Sequence, residues 1–373
     1  MVVERRLRLN PKRSHLLLGP RRVGKSMFLR STFPDASYID LLRSDIFFEY
    51  RADPALLRQR FASGAGTVVL DEVQRIPELV SEVHSLIETG RRRFVLCGSS
   101  ARTLRRRGVT NLAGRLSTAR MFPLSWVELP EFDLEARLQY GCLPPVIYSD
   151  EPATDLRDYC GEYLREEIQA EGIVRNLPAF TRFLEQAALA NGQLVSYATI
   201  ARECGVSAKT AQQYFQILDD TLLGFLLPPW TRTVRRRAIL TAKFYFFDCG
   251  IPNTLLRRRL SPKTPEFGTA FEQLLVLETL SAMHYDHRIE DMRFWRSASG
   301  YEVDLLLNEH TAVEFKSGRA HAGDTTGLRA LGEDVRLKRK WIVTTEREPR
   351  RLEDGVEVLP WQTYLERIWN WQE

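Results

Sequence analysis

Eight residues near the start of the chain, Gly19-Pro20-Arg21-Arg22-Val23-Gly24-Lys25-Ser26, have the spacing GxxxxGK[ST] and follow the apolar run Leu16-Leu17-Leu18. Glycines at both ends let a backbone curl until successive N–H groups face phosphate oxygens, and a helix opening at Lys25 adds its positive end. Lys25 supplies a cation to the β- and γ-phosphates, and Ser26 supplies an oxygen to Mg2+. Thr67-Val68-Val69-Leu70-Asp71-Glu72 is an apolar run closed by two acids. Asp71 is expected to hold Mg2+ and Glu72 to polarise an attacking water as general base, since water activation needs a carboxylate beyond the metal ligand. Phe94-Val95-Leu96-Cys97 leads to Gly98-Ser99-Ser100, where Ser99 or Ser100 could orient that water. Arg115, in Leu112-Ala113-Gly114-Arg115, is placed to act as a phosphate sensor or finger, in cis or from a neighbouring copy. The nearby Arg105–Arg107 read as a solvated or DNA-facing loop.

A second constellation lies near the C-terminus. Tyr301-Glu302-Val303-Asp304 is a strand carrying acids, and nine residues separate Asp304 from Glu314-Phe315-Lys316. Strand alternation puts Glu314 and Lys316 on one face, where Asp304 of an antiparallel neighbour can meet them. Asp304 and Glu314 would hold a divalent metal through oxygen, with Lys316 positioning a nucleophile or neutralising charge.

Between the two lies Val195 to Asp219. A helix with Ala201 inward, Gly205 in a turn, and Ser207 capping a second helix make a helix-turn-helix pattern. Lys209, Thr210, Gln212 and Gln213 fall on the second helix, and Arg232, Arg235, Arg236 and Arg237 on a following wing. Phosphate contacts by Lys209 and these arginines are one reading. A structural or protein-binding use of the same winged helix is the equal alternative.

The elements that must position these groups fall into three blocks. Residues 1–150 alternate strands (His15–Gly19, Thr67–Asp71, Arg93–Gly98) with helices, the pattern of a parallel sheet covered on both faces. Residues 151–240 read as helical, with Phe180, Phe183, Leu184, Ala187 and Ala188 at helical spacing. Residues 241–373 return to strands (Lys243–Phe247, Tyr301–Leu307, Ala312–Phe315, Trp341–Thr344) and helices. A last helix carries Trp361, Leu365, Ile368 and Trp369 inward. The fold class is α/β, with a parallel-sheet first block, a helical, winged-helix middle block and an α/β third block.

The order GPRRVGKS, VVLDEVQRIPEL, FVLCGSSA, LAGR and FPLSW resembles the AAA-type P-loop ATPases of bacteria and archaea. More narrowly it resembles a largely uncharacterised prokaryotic group that adds a winged helix and a C-terminal nuclease-like domain. That resemblance spans nearly the whole chain and implies ATP and Mg2+ as ligands. Tyr140-Gly141-Cys142-Leu143-Pro144 is similar to the Gly-Pro element that borders adenine in such ATPases, with one extra residue. The Asp304, Glu314, Lys316 pattern resembles the PD-(D/E)XK nuclease core of restriction-endonuclease-like domains. Glu272 matches the acid many of these place on the preceding helix. Val303 stands where proline is common, and such domains serve either as metal-dependent nucleases or as binding folds.

Charge and composition bound the rest. The 373 residues carry a net charge of +5, with 45 Arg among 53 basic residues. The charge is concentrated: residues 91–120 hold +9 and residues 228–259 hold +7, so the remainder is acidic. Two basic segments point to two anion-facing surfaces, although a high-GC genome also yields an arginine excess. No apolar run is long enough to span a membrane, and the N-terminus lacks a signal-peptide core. Five scattered cysteines without a CxxC pair, and His284 and His287 without a carboxylate–His pattern, argue for reduced thiols and against a zinc module. The expectation is a cytoplasmic Mg2+-dependent ATPase acting on or recruited to DNA, able to assemble with further copies. The rival is an ATP-driven switch or scaffold whose C-terminal modules hold protein partners.

Overall fold

In the computed structural model, residues 3–90, 92–99, 114–163, 176–233 and 235–371 are described. The chain divides into two units. One comprises residues 1–124 with 220–223, and the other residues 125–219 with 224–373. Apart from residues 220–223, the stretches read from sequence as middle and C-terminal blocks fall in the second unit, together with residues 125–150.

Five strands build the first unit's sheet: β1 (Ser14–Leu18), β2 (Ser37–Asp40), β3 (Thr67–Asp71), β4 (Arg93–Gly98) and β5 (Leu116–Arg120). All pairings are parallel, in the order β2-β3-β4-β1-β5. Each of the three inner strands holds a run of at least three apolar residues, and Leu17, Val68–Leu70 and Phe94–Cys97 are fully buried. Strands covered on both faces need that composition. Helices α1 (Lys25–Thr32), α2 (Ser44–Ala52), α3 (Leu56–Phe61) and α4 (Leu79–Thr89) connect them. Only the amphipathic α4 is long, and it buries Leu79, Val80, Val83 and Leu86. The carboxyl ends of β1, β3 and β4 therefore open side by side, which is where parallel α/β sheets place ligands.

In the second unit, α5 (Leu134–Tyr140), α6 (Leu177–Leu189), α7 (Tyr197–Cys204) and α8 (Ala208–Asp220) precede an antiparallel pair, β6 (Gly224–Leu227) with β7 (Lys243–Phe246). Gly205 takes φ 67° between α7 and α8, and the Ser207 hydroxyl accepts from Thr210 N at 3.1 Å. The turn and cap expected from the sequence are both there. Phe180, Phe183, Tyr214, Phe215 and Phe244 pack edge to face or tilted, with centroids 4.9–5.3 Å apart. That aromatic cluster joins α6, α8 and β7 into one core.

Helices α9 (Gly250–Leu255) and α10 (Pro265–Asp286) follow, then β8 (Met292–Arg296), β9 (Glu302–Leu307), β10 (Thr311–Lys316), β11 (Arg339–Thr344), β12 (Arg350–Arg351) and β13 (Glu357–Pro360). These form a mixed sheet ordered β12-β13-β11-β10-β9-β8. β9 is antiparallel to β8 and β10, whereas β11 is parallel to β10 and β13. Helix α11 (Thr326–Gly332) precedes β11, and the last helix, α12 (Trp361–Trp369), buries Trp361, Leu365, Ile368 and Trp369. Among the described residues, no helix is long and apolar enough to cross a membrane. All five cysteines are buried and free.

Candidate active site

The Gly19–Ser26 loop leaves β1 and enters α1 as its spacing predicts. Arg22 (φ 64°) and Gly24 (φ 93°) are left-handed, a backbone form that suits anion-binding loops. A Cβ on Gly19 would lie 2.5 Å from the Met121 carbonyl oxygen, so the residue that follows β5 crowds the loop to the limit. Lys25 is buried and its Nζ donates to Gly19 O and Pro20 O at 2.7 and 2.8 Å. Arg5 braces the loop from below, donating to Val23 O at 2.8 Å and to Phe122 O at 2.6 Å. Nothing in the sequence pattern singled out Arg5.

Asp71 closes β3, which β4 separates from β1. Ser26 Oγ donates to Asp71 Oδ2 at 2.6 Å, and the Tyr38 hydroxyl, from β2, donates to the same oxygen. Burial and this hydrogen bond hold the Tyr38 hydroxyl well above its ordinary pKa. Asp71 Oδ1 is buried with no partner. A hydroxyl and a carboxylate meeting at the mouth of a phosphate loop, with one carboxylate oxygen unfilled, fit Mg2+ carried in with a nucleotide.

Glu72 follows with left-handed backbone (φ 58°), and it caps the short turn Val73–Arg75. Gln74 on that turn donates through Nε2 to Glu72 Oε2 and, at 3.1 Å, to Ser99 Oγ. Gln74 therefore ties the acid after β3 to the serine after β4. Sequence reasoning named both ends of this bridge and missed the bridge. Ser100 lies outside the described residues, as do Arg105–Arg107. Arg115 pairs with Glu88 at the end of α4, within its own unit.

The C-terminal constellation gathers in the second unit. The β9–β10 register pairs Val313 with Leu305, so its next step sets Glu314 across from Asp304. Asp304 Oδ2 accepts from Phe315 N at 2.9 Å, and Lys316 Nζ pairs with Glu314 at 2.8 Å. Glu272 on α10 joins them. The unexpected member is Lys243 of β7, which is 3% exposed. Its Nζ lies 3.0 Å from Glu272, 2.7 Å from Glu302 and 3.5 Å from Asp304. The Tyr245 hydroxyl donates to Glu272 Oε1 at 2.6 Å. Burial opposes the Lys243 charge, but Tyr245, Glu272, Asp304 and Glu302 outweigh it and hold its pKa well above the usual lysine value. Burial, then the charges of Glu314 and Glu272, push Asp304 well above the carboxylate range, with Lys243 opposing.

This donor set does not fit a divalent metal. One Asp304 oxygen is taken by Phe315 N and an ammonium already faces three of the acids. Among the described residues, no three His, Cys, Asp or Glu side chains form a metal-holding group.

On the helix-turn-helix, Lys209, Gln212 and Gln213 are exposed, while Ala211, Tyr214, Phe215, Ile217 and Leu218 are buried. Of the arginines that follow α8, Arg232 pairs with Glu309 and Arg236 with Glu333, both at 2.8 Å. Arg235 N donates to Asp334. Gly141 of the Gly-Pro element takes φ 76° and packs against the buried Asp248, which accepts from Cys142 N at 2.7 Å.

Comparison with known proteins agrees with this geometry at its N-terminal end. Residues 11–130 match the family described as an AAA domain. That segment is similar to AAA-type P-loop ATPase domains, and its parallel sheet and phosphate loop accord with the match. Residues 131–261 and 267–364 match two families described as domains of unknown function, DUF8612 and DUF4143. An uncharacterised protein of Mycobacterium tuberculosis is 28% identical over 365 residues, covering 92% of this chain and 79% of that protein. One of Haemophilus influenzae is 23% identical over 271 residues, covering 68% and 62%. A Walker-type ATPase of Pyrococcus abyssi aligns in structure with a TM-score of 0.43 and 15% identity, over 65% of this chain and 90% of that one.

Proposed function

We propose that this chain hydrolyses ATP at the Gly19–Ser26 loop and uses its second unit to engage nucleic acid. One observation carries the first half: Ser26, Asp71, Glu72 and Ser99 converge at the carboxyl ends of adjacent strands, beside a loop with buried Lys25. Backbone N–H groups and Lys25 hold the phosphates, and Ser26 and Asp71 hold Mg2+. Bound there, Mg2+ neutralises charge on the phosphate oxygens. Glu72 takes the proton of the attacking water, and Gln74 with Ser99 keeps that carboxylate aimed. The test is steady-state turnover by the purified chain and its Lys25→Ala variant. Loss of turnover in the variant supports the reading; no turnover in wild type, or equal rates, rejects it.

The nucleic-acid half is supported by the exposed Lys209, Gln212 and Gln213, and by a cavity of about 590 Å³ lined by Arg157, Arg257, Arg258 and Arg259. Among the described residues, none of these four side chains is in an ion pair. Arg232 and Arg236 would have to exchange exposed ion pairs for phosphates, which costs little. Anisotropy of a labelled DNA duplex should show binding that weakens steeply with salt. Binding absent at low salt would favour the rival, an ATP-driven switch whose second unit holds protein partners.

A further inference from the structure

Lys243 sits where a solvent-seeking side chain has no outlet. β7 reads Lys243-Phe244-Tyr245-Phe246, and alternation sends Phe244 into the aromatic core beside Phe215. Lys243 and Tyr245 are therefore committed to the opposite face, and both reach Glu272. The backbone of β7 is pinned by pairing with β6, where Lys243 faces Leu227. The ammonium is thus delivered into the carboxylates of α10 and β9 by strand register.

The acids around it are already engaged. Glu272 accepts from Lys243 and Tyr245. Glu302 is held by Lys243 and, at 3.2 Å, by Arg296. Asp304 accepts from a backbone N–H, and Glu314 from Lys316. Glu314 Oε2 alone is buried without a partner. Four carboxyls face two lysines and an arginine, so the cluster is close to charge balance without any added ion. A divalent cation entering it would meet a buried ammonium at close range, and like charges in a dry site repel strongly.

We propose that Lys243 is the resident cation of this cluster, taking against Glu272, Glu302 and Asp304 the part a divalent metal would play, so that the site binds no metal. The second unit then engages its ligand without metal-dependent phosphodiester cleavage. This inference concerns the acid cluster alone and stands whether or not the first unit turns over ATP.

The test is Mn2+ binding to the nucleotide-free full chain, read by the loss of free-ion signal in electron paramagnetic resonance. Any ion held at the phosphate loop is common to all variants and cancels. Wild type and Asp304→Asn should bind the same number of ions. Lys243→Met should gain one Mn2+, at least tenfold tighter than any at that site in wild type, and Asp304→Asn added to it should abolish the gain. Wild type holding an ion that Asp304→Asn removes would overturn the proposal, as would a folded Lys243→Met with no gain. Should Lys243→Met fail to fold, the comparison of wild type with Asp304→Asn decides alone.

Discussion

Replacing Gln74 with alanine removes a side chain that hydrogen-bonds both Glu72 and Ser99. Gln74 Nε2 donates to each of them, and neither is open to bulk water: Glu72 is 9% and Ser99 6% exposed. A hydrogen bond to a charged acceptor contributes about 1.5–3 kcal/mol. Gln74 itself is half-buried, so water recovers part of that and the surviving deficit falls on the aim of Glu72. Turnover should drop about tenfold to hundredfold, since about 1.4 kcal/mol is a factor of ten in rate. KM for ATP should hold within about twofold, because Gln74 makes no bond to the phosphate loop and the loss belongs to the transition state. The assay is coupled ATP turnover at saturating Mg2+, with the unfolding midpoint recorded beside it. Unchanged kcat in a folded Gln74→Ala protein would refute the assignment of Glu72 and Ser99 to the water-activating step. Gln74→Glu is the sharper control: it keeps the reach but sets a like charge against Glu72, and should be at least as slow.

Other perturbations test the packing and titration on which the site depends. Gly19→Ala would push a methyl to 2.5 Å from the Met121 carbonyl, and overpacking of this kind costs about 1–3 kcal/mol; a calorimetric midpoint within 1 °C of wild type, on the scale of about 4 °C per kcal/mol, would show the contact to be relaxed. Glu278 accepts from Trp126 N at 2.8 Å and Trp369 Nε1 at 2.9 Å, and burial pushes it up to about 8. Its folded pKa exceeds the unfolded one, so the folded protein binds the extra proton and this group's contribution declines as pH rises from the ordinary carboxylate value to about 8, by about 5 kcal/mol at most. Thermal midpoints of wild type should therefore fall with rising pH across that window and fall less steeply in Glu278→Gln; parallel slopes would remove Glu278 from the account.

Much of this was legible in the chain because it rests on local pattern. The inner strands of the first sheet hold the apolar runs Leu16–Leu18, Val68–Leu70 and Phe94–Cys97, and the phosphate loop, the Ser207 cap and the last helix follow from spacing. What escaped was set by tertiary neighbours. β2 and β5 are edge strands with little burial, so Ser-Tyr-Ile-Asp and Leu-Ser-Thr-Ala-Arg carry no strand signal strong enough to stand out. Tyr38, on one of them, reaches Asp71 only because β2 pairs with β3. Arg5 braces a loop that begins fourteen residues later. Lys243 opens a strand, and a lysine there reads as solvated; only the meeting of β7 with α10 and β9 turns it into the buried partner of three acids. The same contacts merge two blocks into one unit. Asn191 donates to Gln273 at 2.9 Å, and Gln273 donates to Phe246 O. Such long-range polar links leave no trace in composition or periodicity.

Glu72→Gln separates water activation, the role proposed for Glu72, from nucleotide binding by the Gly19–Ser26 loop. Binding of a fluorescent ATP analogue and turnover of ATP should be measured on the same preparation with Mg2+ present. Binding should stay within about threefold of wild type while turnover falls by about a hundredfold or more, the scale on which general-base catalysis operates. Turnover retained within a few-fold in a variant that still binds would contradict that role.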